Sequence, residues 1–269
     1  MTSTESTHVW QPASDGPAVR GTVILLPGRG EHGGVYERFG KRLSHDAYTV
    51  HALDISADTD LSTLSHRIDR IAAQASGPVV LAGSDTGALQ ALALVSADAV
   101  RVDGLLLVGL PDTEAGAESG TGTGLGADTA DPEEAGWDHE LAARTSCPTH
   151  QARLTADAEF ARGSLSDPVP PHLAAVLQGT GVEGVDTPTL LLHGGADTVA
   201  PVDHARGVAA RLPRGELAVT TDGRHDVLND IVHRTVAAEV VQWLERLRGG
   251  PELTPLISVE TQQTFALAR

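Results

Sequence analysis

Between the apolar run Val79–Ala82 and a segment with helical character from Thr86 to Ser96 stand only three residues, Gly83, Ser84 and Asp85. A buried strand that turns into a helix over so short a link has no room for side chains inside the turn. Glycine is therefore favoured on both sides of the residue at its apex, and that residue is held strained with its side chain pushed into the space above the strand. With Asp85 at the apex the pattern is Gly83-x-Asp85-x-Gly87, glycine at both small positions. The competing register puts Ser84 at the apex and leaves Ala82 and Thr86 at the small positions, where threonine is bulky.

The chain around this turn alternates in period. Thr22–Pro27, Tyr48–Leu53, Val79–Ala82, Gly104–Gly109, Pro188–His193 and Glu216–Thr220 read as short strands, most of them continuous apolar runs of the kind buried on both faces. Helical patterns fall between them at Tyr36–Ser44, Leu61–Ala75, Thr86–Ser96, Val202–Leu212 and Val227–Arg248. Strands alternating with helices predict an α/β fold with a mostly parallel central sheet and helices on both faces. Residues 1–110 and 186–250 would form this core. Residues 111–185 interrupt it as an insertion, expected to be a helical cap over the site, with helices near Trp137–Arg144 and Ala152–Ala161. Within the insertion, Ala115–Ala130 is rich in Gly, Thr and acidic residues and reads as a mobile loop. The acidic run Asp112–Glu134 reads as a solvated loop, and residues 251–269 as a tail.

Composition removes several classes of function. The formal net charge of −17 leaves no basic patch for nucleic acid or an anionic membrane surface. No apolar run approaches the roughly 20 residues that span a bilayer, so no stable membrane insertion is expected. A polar N-terminal stretch without a basic, then apolar, pattern points to a cytoplasmic setting. Cys147 is the single cysteine, which excludes an intrachain disulfide and a cysteine-based zinc cluster, and reads as a small, partly buried residue. A small-molecule substrate is what remains.

Asp197 follows the run PTLLLHGGAD at what would be the carboxyl edge of the sheet, and His225 lies in GRHDVLND before the last helical segment. The chain order is apex residue, acid, histidine. The segment LPGRGEHGGVYERFGKRL (Leu26–Leu43) resembles the HGxGEHxxxY segment of the monoacylglycerol lipase and lysophospholipase group of α/β hydrolases, and LLLHGGADTVAP and GRHDVLND resemble that group's acid and histidine motifs. The resemblance implies an α/β-hydrolase fold, a catalytic set Asp85, Asp197 and His225, and an oxyanion hole formed by the backbone N–H groups of Arg29 and Thr86. No metal or organic cofactor is implied. Two departures stand out: Pro27-Gly28 replaces the group's His-Gly, and the shorter Asp54–Asp60 replaces its GHGxS segment.

An aspartate nucleophile changes the chemistry expected of such a scaffold. A carboxylate attacks a saturated carbon to give an alkyl ester, whereas attack on an ester carbonyl would give a reactive anhydride. His225, oriented by Asp197, would then activate the water that hydrolyses the ester. Haloalkane dehalogenases and epoxide hydrolases of this fold work in this way, but no Trp follows Asp85 and both tyrosines precede the insertion. Trp137 reads as a core residue, His32 as a hydrogen-bonding brace of the oxyanion loop and His193 as the close of a strand. Three readings follow: a hydrolase acting through an Asp85 ester, a serine-type carboxylesterase or lysophospholipase-like enzyme using Ser84, and a non-hydrolytic or binding member of the fold.

Overall fold

A computed structural model describes residues 6–113, 132–179, 181–250 and 252–257. Its centre is a seven-stranded sheet with β1 (Thr7–Trp10), β2 (Gly21–Leu26), β3 (Tyr48–Leu53), β4 (Val79–Ser84), β5 (Gly104–Val108), β6 (Thr189–Gly194) and β7 (Gly215–Thr220), in the order β1-β3-β2-β4-β5-β6-β7. All neighbours pair in parallel except β1, which runs antiparallel to β3. The four central strands β2, β4, β5 and β6 are buried along their whole length, as runs sandwiched between two helical layers must be.

Strand alternation sorts these residues into two cores. Val23, Leu25, Val80, Ala82, Leu106, Val108, Leu190 and Leu192 face one side, where α1 (Glu37–His45) brings Phe39 and Leu43, and α8 (His233–Gly249) brings Val240 and Trp243. Ile24, Leu26, Leu81, Leu105, Leu107 and Leu191 face the other. There they meet Leu64 and Ile68 of α2 (Leu61–Ala72), Leu89 and Leu92 of α3 (Thr86–Ser96), and Val208 of α7 (Val202–Arg211). Each strand thus contributes alternate residues to both cores, which is what a period of two does in a doubly covered sheet.

Between β5 and β6 lie α4 (Pro132–Arg144), α5 (Pro148–Ala156) and α6 (Pro171–Gln178). They join both cores: Trp137, Leu141, Leu154 and Phe160 extend the first, Leu173 and Leu177 the second. The expected loop at 115–130 lies outside the described residues, as do most of the acidic run 112–134 and of the tail 251–269.

Several elements depart from the sequence reading. β1 and α6 were not expected. The second helix of the insertion is shifted toward the N-terminus, starting at Pro148, whose missing N–H is harmless in a first turn. The last helix starts at His233, not Val227, because the chain turns at Asp226 (Asn229 N donates to Asp226 O, 2.8 Å) and again at Asp230 (His233 N to Asp230 O, 3.0 Å). Val227 and Leu228 are buried in that turn.

Candidate active site

β4 passes directly into α3 through Asp85, which has φ 48° and ψ −120°, a backbone conformation costly for any residue with a Cβ. The flanking glycines show why the turn tolerates nothing larger. A Cβ on Gly83 would lie 2.1 Å from Gly87 O, and one on Gly87 would lie 2.3 Å from Leu26 O. Asp85 N donates to Val108 O at 2.9 Å, tying the apex to β5. Ser84 is the last residue of β4 and is buried. The side chain facing the histidine is that of Asp85.

The loops after β2, β6 and β7 converge on this carboxylate. His225 Nε2 lies 3.3 Å from Asp85 Oδ1, and His225 Nδ1 lies 2.8 Å from Asp197 Oδ2. Asp197 Oδ1 accepts the N–H groups of Val199 (2.8 Å) and Ala200 (3.1 Å), which fixes its other oxygen on the imidazole. His193 closes the end of β6 through Ala200 O at 2.9 Å. Asp85 Oδ2 accepts the backbone N–H of Arg29 at 2.9 Å. As the first residue of α3, Thr86 has an N–H with no acceptor inside the helix, so it is a donor available at the same turn.

One contact was not legible in the sequence: the Arg29 side chain. Its Nε donates to Asp85 Oδ2 (2.8 Å) and its Nη2 to Asp85 Oδ1 (2.9 Å), a two-point charge-assisted pair. Four buried charges therefore alternate in a row: Asp197, His225, Asp85, Arg29. Burial alone would raise the Asp85 carboxyl, but the Arg29 charge and the hydrogen bonds from His225 and Arg29 hold it far below the usual carboxylate range. Burial alone would lower His225, but Asp197 and then Asp85 raise it to about 10. The resting imidazole is thus a cation between two carboxylates.

The loop that carries Arg29 is braced from the insertion. Arg144, 1% exposed, donates from Nη2 to Arg29 O (2.8 Å) and pairs with Glu140 (2.9 Å) and, at 3.5 Å, with Asp226 beside the histidine. Ala161 N donates to Gly30 O (2.9 Å). His32 is the brace expected of it: Nδ1 accepts Gly34 N–H, and Nε2 lies 2.9 Å from Asp157 Oδ2. Below the loop, Glu31 accepts from Gly28 N (2.9 Å) and from the Tyr36 hydroxyl. Burial, with the Asp226 charge, pushes its carboxyl up to about 7. The histidine loop is held by Asp230, which accepts from Thr145 Oγ1 (2.8 Å), Ser146 N (2.8 Å) and Arg224 N (2.8 Å).

Trp137 sits in the core, its ring 5.7 Å from that of Phe160. Cys147 is buried at the start of α5. Among the described residues, one group offers metal-ligating atoms within 4.8 Å of one another, His8, His32 and Asp54. It lies apart from Asp85, and the loop already uses His32 as above and Asp54 as acceptor of Gly33 N–H (2.7 Å).

A largely parallel sheet with helices on both faces, a strained residue between β4 and the following helix, and an acid–histidine pair on later loops define the α/β-hydrolase class. The chain belongs to the alpha/beta hydrolase family, whose model matches residues 23–243, and is an enzyme of that class. Solved structures with this fold include a soluble variant of the monoglyceride lipase of Saccharomyces cerevisiae in complex with a substrate analogue (18% identity, covering 90% of this chain and 91% of that one, TM-score 0.71). The monoacylglycerol lipase of Paleococcus ferrophilus shows 18% identity over 91% of this chain and all of its own (100%), with a TM-score of 0.67. A thermostable carboxyl esterase of Bacillus coagulans shows 16% identity, coverage of 90% and 94%, and a TM-score of 0.64. No curated protein matches the chain. Among the described residues, no helix is long and apolar enough to cross a membrane.

Proposed function

We propose that the protein is a hydrolase that attacks a small, largely apolar substrate with Asp85, forms an alkyl ester, and hydrolyses it with water activated by His225 and Asp197. The observation that carries this reading is the division of labour between the Asp85 oxygens. Oδ2 rests on the Arg29 N–H, where the oxyanion of a later tetrahedral intermediate needs a donor. Oδ1 points to His225.

In the first step Oδ1 forms a bond to a saturated carbon, and the bond from that carbon to the leaving atom breaks with its electron pair. Asp85 is then neutral, and His225 has lost one of the two carboxylates that hold its proton. The imidazolium gives that proton to the departing group or to solvent and becomes a base. It takes a proton from water whose oxygen adds to the Asp85 carboxyl carbon, with Arg29 and Thr86 N–H groups holding Oδ2. Collapse expels the product alkoxide, which takes the proton back from Nε2. The Asp85 carboxyl then ionises, its proton passing to His225, and the row of four charges is restored. Residues 111–185 act as a cap. Hydrolysis of carboxylic esters by a serine mechanism, as in a carboxylesterase or a lysophospholipase-like enzyme, is a second reading through Ser84, which is buried at the end of β4.

A single turnover in water enriched in the heavy oxygen isotope tests this. The first alcohol product should carry unlabelled oxygen from Asp85; label in it from the first turnover sinks the mechanism. His225→Ala should accumulate an adduct on Asp85, seen by intact mass and peptide mapping, with reactive alkyl halides or epoxides as probes.

A further inference from the structure

Arg29 does more than lend a backbone donor. Its guanidinium is held at Nη1 by the carbonyls of Leu165 (3.0 Å) and Asp167 (2.6 Å), and at Nε and Nη2 by Asp85. With Trp137, Leu165, Asp167, Val169 and Val199 it lines the cleft beside the insertion, whereas Asp85 and His225 lie behind it. The side chain is 10% exposed and Asp85 2% exposed, so Arg29 stands between the cleft and the carboxylate. A guanidinium cannot shed its proton to escape such a place.

Any event that neutralises Asp85 lets His225 shed its proton but leaves the Arg29 guanidinium, which cannot, without the carboxylate that held it at two points, and removing one partner of a buried ion pair is strongly unfavourable. An alkyl ester on Oδ1 is such an event, and the lost negative charge reappears on the atom that leaves.

We propose that the Arg29 side chain is an anion-binding site that opens when Asp85 becomes neutral: the guanidinium edge released by Oδ1 takes up a small monovalent anion. That anion is either the group expelled from the substrate or a carboxylate the substrate carries next to the reacting carbon. The source of the anion rests on the Asp85 ester reading; the binding site does not. It fills the place of the leaving-group-assisting Trp and Tyr that the sequence lacks.

Asp85→Asn reproduces the charge of the ester in a side chain of nearly the same shape as the aspartate that already adopts this backbone. Thermal unfolding is followed against sodium bromide and sodium formate, for wild type, Asp85→Asn and Asp85→Asn/Arg29→Gln. Asp85→Asn should gain a saturable rise in Tm of about 3 °C with an anion near ten times its Kd. Wild type and the double variant should show neither saturation nor rise. Asp85→Gly, which removes the carboxylate and relieves the apex backbone, should behave as Asp85→Asn does and stands in for it if that variant does not fold. Preference for bromide identifies a departing anion, preference for formate a carboxylate on the substrate, and both support the site. The absence of an anion-dependent rise in the neutral variants, or an equal rise in the double variant, overturns it. If His225→Ala collects no adduct while Asp85→Asn binds anions, the ester mechanism fails and the anion site stands.

Discussion

Asp85 is constrained from two directions: by a backbone that only flanking glycines permit, and by a carboxylate whose every neighbour is charged or a donor. The first constraint predicts that Gly87→Ala, which drives a Cβ into the backbone oxygens of Leu26 and Pro27, will lose about 3 kcal/mol in urea unfolding. Ser84→Ala discriminates between nucleophiles. It changes a buried residue and should cost about 1 kcal/mol, yet leave adduct formation on Asp85 intact; loss of all turnover would instead favour the serine reading. The second constraint gives a pH dependence. His225 keeps its proton to about 10 in the resting protein, held by Asp197 and Asp85 against the effect of burial. In the ester Asp85 no longer helps, so the proton leaves at lower pH. Adduct hydrolysis, followed by rapid-quench mass spectrometry, should accelerate with rising pH and level off below pH 10, while adduct formation stays flat around neutrality. A hydrolysis rate that falls with rising pH would contradict His225 as the base.

At the scale of elements, the site depends on α4 as much as on the strands. Arg144 joins that helix to the Arg29 loop and to Asp226 beside His225. Arg144→Met should cost about 3–5 kcal/mol, because Glu140 and Asp226 would lose the buried guanidinium they pair with. A cost below about 1 kcal/mol in urea unfolding would mean that the site does not depend on this brace. This dependence was invisible in the sequence, and the reason is physical. Runs such as TVILLP and GLLLVG are apolar along almost their whole length because both faces of β2 and β5 are covered, so they announce themselves. Asp85 and Asp197 could likewise be placed, because each closely follows such a strand, whereas His225 was marked only by the resemblance of GRHDVLND, since turns separate it from α8. Arg29, Arg144, Glu140 and Glu31 make contacts that span the insertion or bury a charge, and nothing local in sequence marks a charge as buried. For the same reason α6 was missed: Pro171–Gln178 is short, and its apolar residues Leu173 and Leu177 have meaning only against α3 and the second core. β1 is a four-residue edge strand of mixed polarity, recognisable only by its pairing with β3.

For the molecule as a whole, the buried charges set where on the pH scale it is most stable. Glu245, whose carboxyl is lowered to about 2 mainly by its hydrogen bond to Arg20, binds fewer protons folded than unfolded. So do Asp85 and Asp197, whose partners overcome burial. Their contributions are present above the ordinary carboxylate range and are lost as pH falls through the folded values. Glu31 acts in the opposite sense. Burial raises it from 4.5 to about 7, so the folded state binds more protons and stability declines as pH rises through that interval. His225, raised from 6.5 to about 10, contributes stability that is complete below 6.5 and disappears as pH climbs to about 10. A net charge of −17 adds self-repulsion as the remaining groups deprotonate. Glu31, His225 and the net charge therefore slope the same way above about pH 4.5; His51, His193 and His233, lowered mainly by burial, oppose them only up to 6.5, so the Tm should peak on the acid side of neutrality. Thermal unfolding from pH 3 to pH 10 checks this, and two variants assign the slopes. Glu31→Gln, which keeps an oxygen for Gly28 and Tyr36, should flatten the decline between 4.5 and 7. His225→Ala should flatten it between 6.5 and 10. A maximum above pH 8 would show that the buried row of Asp197, His225, Asp85 and Arg29 does not carry its charges as arranged.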